Sequence, residues 1–180
     1  MSVLKNILID KEIDSKHIWF MRQAGRYLPE FRKIRSLNNN FINLCFSSDL
    51  SAEITLQPIK RFDLDSAIIF SDILLVPHVL GQNVKFIKYK GPILEDFDLD
   101  KFLKNDPDVF TKKMDPVYQA IKIARKNLDK EKSLISFIGA PWTLLIYMLN
   151  LKNDYKELHL DKLNMDFDLI LEELNKYLCI

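Results

Sequence analysis

Three short apolar runs limit what this chain can fold into. Ile18, Trp19, Phe20 and Met21 form the first, and Ala67, Ile68, Ile69 and Phe70 the second. Leu134, Ile135, Ser136, Phe137 and Ile138 form the third, which ends at Gly139. Each is dense in β-branched and aromatic residues with little alternation, the pattern of strands covered on both faces. Helical patterns lie between and after them. Ser48 or Asp49 is placed to cap a helix running to about Arg61, with Glu53 early and Lys60 and Arg61 late, as the helix dipole favours. Pro58 weakens only its last turn. Asp115 followed by Pro116 reads as a second helix start, after which Val117, Ala120, Ile121, Ala124 and Leu128 share one face. Asp166 precedes a third stripe of Phe167, Ile170, Leu171, Leu174 and Leu178, with Glu172, Glu173 and Lys176 turned away. Strands alternating with helices predict an α/β fold with a parallel sheet and right-handed crossovers. The long stretch between the second and third strands carries a two-sided alternation over residues 84–89, followed by the turn signal Gly91-Pro92.

Composition removes several function classes. A chain of 180 residues with 48% apolar and 28% charged residues is ordinary for a soluble globular protein. Its net charge of +1 supplies no global field for nucleic acid or a membrane surface, so anion binding must come from a local cluster. The two cysteines, Cys45 and Cys179, suggest neither a disulfide framework nor a metal knuckle. Residues 1–16 contain Asp10, Glu12 and Asp14 and no sustained apolar run, which is unlike a secretory or transit segment. No stretch approaches the ~18 apolar residues of a membrane span. The expectation is a cytoplasmic protein. His17, His78 and His159 stand apart from other ligand types and read as surface or packing residues, not metal ligands. Neither a Gly-rich phosphate loop nor a nucleophile elbow is present. The acidic cluster of Glu95, Asp96, Asp98 and Asp100 reads as a solvated loop.

Three segments carry chemistry, each following one of the predicted strands. In Met21-Arg22-Gln23-Ala24-Gly25-Arg26-Tyr27-Leu28-Pro29-Glu30, two arginines flank a glycine that permits a tight turn. A guanidinium can grip a carboxylate through two parallel hydrogen bonds, and the C-terminal ends of strands are where α/β active sites are built. On spacing alone, a surface loop whose arginines pair with nearby Asp or Glu is the commoner outcome. In Phe70-Ser71-Asp72-Ile73-Leu74, Asp72 either collects N–H donors in the same mouth or caps the next helix. In the segment from Gly139 through Pro141 and Trp142 to Tyr147, the tyrosine hydroxyl could meet a ligand carboxylate. Alternatively, Trp142 and Tyr147 are core aromatics with one satisfied polar atom.

Taken together and in order, these segments resemble the uroporphyrinogen decarboxylase family. Residues 19–30 are similar to its long N-terminal signature, and residues 70–74 and 139–144 to two further blocks. The resemblance covers about residues 17–150 and overturns the surface-loop reading of the first motif. It implies a (β/α)8 TIM barrel, of which residues 1–180 form an incomplete N-terminal portion of one barrel domain with about three β/α units, since a full barrel takes ~250 residues. It implies a carboxy-lyase of porphyrin and haem biosynthesis that needs no cofactor or metal. Its reaction converts the acetate side chains of uroporphyrinogen III to methyls, giving coproporphyrinogen III. By position, Arg22, Gln23 and Arg26 correspond to substrate-binding residues, and Asp72 to the carboxylate that receives the pyrrole N–H groups. Tyr147 corresponds to the tyrosine near the reacting acetate, and Phe137 to a cleft-lining aromatic. Asp72, Arg22 and Tyr147 are the catalytic candidates; Arg22 as proton donor is opposed by its high pKa.

Residues 149–154 lack the glycines the family usually carries there, and the later serine and histidine contributions to the cleft are absent from this sequence. A three-strand portion leaves a parallel edge unpaired, so the chain alone is expected to be poorly folded or inactive unless another chain completes it. A full-length homodimer is implied. Two alternatives stand beside this reading: a corrinoid-linked methyltransferase of the same superfamily, and an inactive truncated remnant that retains porphyrinogen-binding loops.

Overall fold

The second and third apolar runs meet as parallel neighbours, and the fold is organised around that pair. The computed structural model describes residues 3–10, 16–21, 23, 27–87, 90–151 and 165–179. In chain order the elements are α1 (Val3–Asp10), α2 (Pro29–Leu37), α3 (Phe41–Cys45), α4 (Ser48–Phe62), β1 (Ser66–Ile68), α5 (Leu75–Val79), β2 (Val84–Ile87), β3 (Gly91–Leu94), α6 (Leu99–Leu103), α7 (Pro107–Asn127), β4 (Ser133–Ile135), α8 (Pro141–Met148) and α9 (Phe167–Leu178). The chain divides into two compact units, Met1–Asp72 with Asp115–Phe137, and Ile73–Met114 with Ile138–Ile180.

In the first unit, β1 and β4 run parallel with Ser66 opposite Ser133 and Ile68 opposite Ile135. The bonds Ser133 N–H to Asp65 O (3.0 Å) and Ile69 N–H to Ile135 O (2.9 Å) bracket the pair. The buried clusters join Ala52, Leu56 and Ile59 of α4, Ala124 of α7 and Leu128 just past it to Ala67 of β1 and to Leu64 and Ile69 on either side of it. Alanines at 52, 67 and 124, each at most 1% exposed, leave room for close packing of helix on strand. Fully burying a Leu or Ile side chain contributes about 1.5–3 kcal/mol, so these contacts outweigh the interior Pro58. Ser47, not Ser48 or Asp49, occupies the N-cap position of α4. The Ser48 hydroxyl instead donates to the Pro116 carbonyl (2.8 Å).

Three expectations are corrected here. The run Ile18 to Met21 is not a strand: Ile18, Phe20 and Met21 are 54%, 60% and 79% exposed. Its hydrogen bonds to the edge of the sheet run through Asp65, whose N–H donates to Ile18 O (3.0 Å) and whose carboxylate accepts from Ile18 N–H (2.7 Å). The helix assigned to Asp115-Pro116 starts instead at Asp106-Pro107, where Asp106 Oδ1 accepts from the N–H groups of Asp108 and Val109 (both 2.9 Å). Pro116 lies inside α7, missing one rung, while Val117, Ala120, Ala124 and Leu128 form the buried face that the spacing predicts. The pair Gly91-Pro92 does not make the hairpin turn but opens β3.

That hairpin belongs to the second unit. β2 and β3 are antiparallel, with Ile87 opposite Gly91 and Val84 opposite Leu94. Gly91 has φ +84°, a left-handed conformation suited to glycine, just after Lys90 N–H bonds to Ile87 O (3.1 Å). The predicted stripe forms α9, and Asp166 caps it by accepting from Leu169 N–H (3.0 Å). Ile170, Leu174 and Tyr177 are its buried positions. Tyr177 packs against Phe110 and Phe102 at 5.1 and 6.5 Å between ring centres, and its hydroxyl donates to Asn105 O (2.9 Å). Gly139 is held to a hydrogen because a Cβ there would stand 2.7 Å from Leu144 Cδ2. Trp142 is 43% exposed and so is not a core aromatic. The acidic cluster is exposed, and within it Asp98 caps α6 by accepting from Lys101 N–H (3.0 Å).

Candidate active site

The site in the first unit is built outward from β1. Phe70, just past the strand, would bury its N–H without a partner if nothing reached it. Thr55 of α4 does so: its hydroxyl accepts from Phe70 N–H (2.8 Å) and donates to Ser51 O (2.7 Å). Ser51 in turn donates to Leu44 O (3.1 Å) and Cys45 O (3.0 Å). These hydroxyls tie α3, α4 and the exit of β1 together in a region where Ser51, Thr55 and Phe70 are buried. Phe31 and Phe41 meet the Phe70 ring edge-on at 6.1 and 5.8 Å. The segment leading to Asp72 is thus fixed by hydrogen bonding and by aromatic packing.

Asp72 follows as a half-buried residue. Its charge is felt at Cys45, whose thiol is pushed up mainly by burial and secondarily by Asp72, with Arg35 opposing. The Arg35 guanidinium lies 6.0 Å from the centre of the Phe41 ring. Asp72 does not occupy the N-cap position of α5, which Leu74 fills without a side-chain cap. Phe137, two residues beyond β4, is 46% exposed. Because β1 and β4 are parallel, the segments bearing Asp72 and Phe137 leave the sheet at the same end.

Gln23 lies along the other edge of β1 and is 5% exposed. Its Nε2 donates to Ser66 O (2.6 Å) and its Oε1 accepts from Ile68 N–H (3.2 Å). His17 also packs at this edge, with Nε2 2.7 Å from Ser66 Oγ. The arginine motif ends in Glu30, at the start of α2, whose carboxylate takes a two-pronged bond from Arg61 of α4 at 2.8 and 2.9 Å. That bond, with Arg61's charge, holds the Glu30 carboxyl below its ordinary range. Arg22 and Arg26 lie outside the described residues, as does His159. Tyr147 sits half-buried on α8 in the second unit. Among the described residues no three His, Cys, Asp or Glu side chains are grouped to hold a metal, and no helix is long and apolar enough to cross a membrane. Sequence reasoning missed Thr55, Arg35 and the Glu30–Arg61 pair. Only the spacing of Ser51 and Thr55, one turn apart in α4, hinted at the first.

The family model described as "Uroporphyrinogen decarboxylase (URO-D)" matches residues 2–169. The chain belongs to the uroporphyrinogen decarboxylase family. A uroporphyrinogen decarboxylase of Brucella melitensis biotype 2 (strain ATCC 23457) is 45% identical over 149 residues, covering 80% of this chain and 44% of that protein. One from Brucella ovis (strain ATCC 25840 / 63/290 / NCTC 10512) is 48% identical over 132 residues, covering 73% and 39%. The chain therefore spans about two fifths of the length of these curated relatives. Among solved structures, a methyltransferase from Methanosarcina mazei aligns with TM-score 0.62 at 14% identity, over 97% of this chain and 50% of the other. At that identity the likeness concerns fold alone. Family and structural neighbour agree on a TIM-barrel-like α/β fold.

Proposed function

We propose that this chain supplies the first part of a uroporphyrinogen decarboxylase cleft, as the N-terminal portion (residues 1–180) of a single barrel domain. The observation that supports this best is the common exit of the Asp72 and Phe137 segments from one end of a parallel sheet, with Gln23 of the arginine motif anchored on the neighbouring edge. Active sites of α/β barrels are built at that end.

In this reading Arg22 and Arg26 hold the substrate's carboxylates by charge and by paired hydrogen bonds. Protonation of a pyrrole ring carbon turns the ring into an electron sink. The acetate then loses carbon dioxide, its bonding pair passing into the ring, and a second proton delivered to the exocyclic carbon leaves a methyl. Asp72 accepts from the pyrrole N–H groups and stabilises the cationic intermediate electrostatically. Tyr147 stands near the reacting acetate and Phe137 lines the cleft. Neither metal nor cofactor takes part. The full-length protein acts as a cytoplasmic homodimer.

The test is anaerobic incubation of the purified chain with uroporphyrinogen III, alone and mixed with the C-terminal half of the Brucella melitensis relative. Products are oxidised and separated by carboxyl number. Conversion toward coproporphyrinogen that Asp72→Asn abolishes is expected. Binding without conversion, both alone and in the mixture, would favour the inactive-remnant reading, and methyl transfer without decarboxylation would favour the methyltransferase. Arg22→Lys separates charge from fork geometry, since full retained activity would remove any need for the guanidinium plane.

A further inference from the structure

In a parallel sheet, one residue of a strand donates its N–H to the carbonyl before the residue it faces and accepts at its C=O from the N–H after it. The Gln23 carboxamide does the same to β1. It donates to Ser66 O and accepts from Ile68 N–H, on either side of Ala67. A side chain thus stands in for one residue of a parallel strand. This accounts for the first apolar run lying beside β1 without becoming a strand, because the edge groups it would have paired are already taken. Both heteroatoms of the carboxamide are engaged with backbone, and the side chain is 5% exposed. It is therefore turned toward the sheet and away from any ligand in the cleft.

We propose that Gln23 is a positioning residue whose carboxamide fixes the arginine motif against β1, and so sets where that motif meets a polycarboxylate. The proposal rests on the decarboxylase reading for the nature of the ligand. Arg22 is covalently adjacent to Gln23, one Cα–Cα step of about 3.8 Å away. At the far end of the motif Leu28 is 2% exposed and Glu30 is held by Arg61. The motif is pinned at both ends. At its N-terminal end Gln23 is the residue bonded directly to the strand from which Asp72 follows. At 5% exposure the carboxamide presents little surface for a direct substrate contact while it holds both β1 partners.

Gln23→Glu and Gln23→Leu test the idea. A protonated glutamic acid keeps one donor and one acceptor; an ionised one turns an acceptor against the Ser66 carbonyl. Burial and that carbonyl both raise the pKa of the introduced acid, so the bond pair is kept at low pH and lost as pH rises through the raised value. Two quantities are read between about pH 5 and about pH 8, each relative to wild type at the same pH. One is hydrogen exchange of the Ile68 amide in ligand-free protein. The other is affinity for uroporphyrin III, the fluorescent oxidised polycarboxylate. Gln23→Leu should speed Ile68 exchange and weaken binding by about tenfold or more at every pH, as expected for a buried group left unpaired. Gln23→Glu should match wild type in both readouts at low pH and approach the leucine variant in both at high pH. Unchanged Ile68 exchange in the variants would overturn the clamp. Faster exchange with unchanged porphyrin affinity would overturn its positioning role. Because the second readout is binding, a wild-type chain that binds but fails to decarboxylate would sink the enzymatic reading alone.

Discussion

Thr55→Val removes the hydroxyl that hydrogen-bonds α4 to the exit of β1. Valine has nearly the shape of threonine, so the substitution opens no cavity and isolates the hydroxyl. Thr55 is 1% exposed and Phe70 7%, so water does not replace the lost acceptor at Phe70 N–H. A buried donor left without a partner costs about 1–3 kcal/mol. The Ser51 carbonyl loses one donor as well, and its helical position softens that loss. Taking about 2 kcal/mol for the change, and about 2–4 °C per kcal/mol for a chain of this size, the midpoint should fall by about 4–8 °C. Thr55→Ser is the control: it keeps the oxygen and loses one methyl, worth about 1 kcal/mol. Valine should therefore be the more damaging substitution although it is the more apolar. Thermal melts followed by circular dichroism give the order, and exchange at the Phe70 amide gives the cause. A valine variant that melts at or above the serine variant, with Phe70 still protected, would refute the assignment of the hydroxyl.

Three further outcomes are expected. Asp106→Ala should cost about 1 kcal/mol because it uncaps α7, whereas Asp115→Ala, an exposed residue whose carboxylate bonds only the side chain of Gln119 among the described contacts, should stay within about 0.5 kcal/mol; urea melts compare them. Under native conditions a maleimide should label the exposed Cys179 and leave Cys45 unmodified until denaturant is added, since burial keeps that thiol protonated as well as inaccessible. Glu30 should titrate below the ordinary 4.5 in the wild type and return toward it in Arg61→Gln, read by carboxyl carbon NMR. Its folded pKa is depressed, so its stabilising contribution is present above the unfolded value and lost as pH falls through the folded one.

The parts of the fold that depend on local pattern could be read directly. The stripe after Asp166 became α9 because cap and period agree over a single helix. β1 and β4 formed where dense apolar runs predicted them, shifted toward their N-terminal ends, with Ser66 to Ile68 paired to Ser133 to Ile135. Asp-Pro occurs twice, at residues 106–107 and 115–116, and is a start signal on both occasions. Only the upstream pair also begins the chain's turn into the helix; by residue 115 the buried face of α7 carries the backbone straight through the second. Local signals of equal strength were thus separated by packing, which a pattern of residues does not contain.

The candidate site was legible to a different depth. Residue types named the arginine motif, Asp72 and Phe137, and parallel pairing of β1 with β4 brings the last two segments to one end of the sheet. What residue types could not supply was the direction of each polar side chain. Gln23 sits between two arginines, and by position it looks like a third contact to an anion. Its geometry is governed instead by an unpaired strand edge, because a backbone N–H and C=O left open beside a buried core are costly to leave unmet. Nor does a hydroxyl announce its partner: Thr55 reads as one more residue of a mostly buried helix until Phe70 is placed against it. In the proposed site, the groups assigned to the chemistry are therefore distinct from the groups that hold them. The second set is recognisable only once the edges of β1 are known.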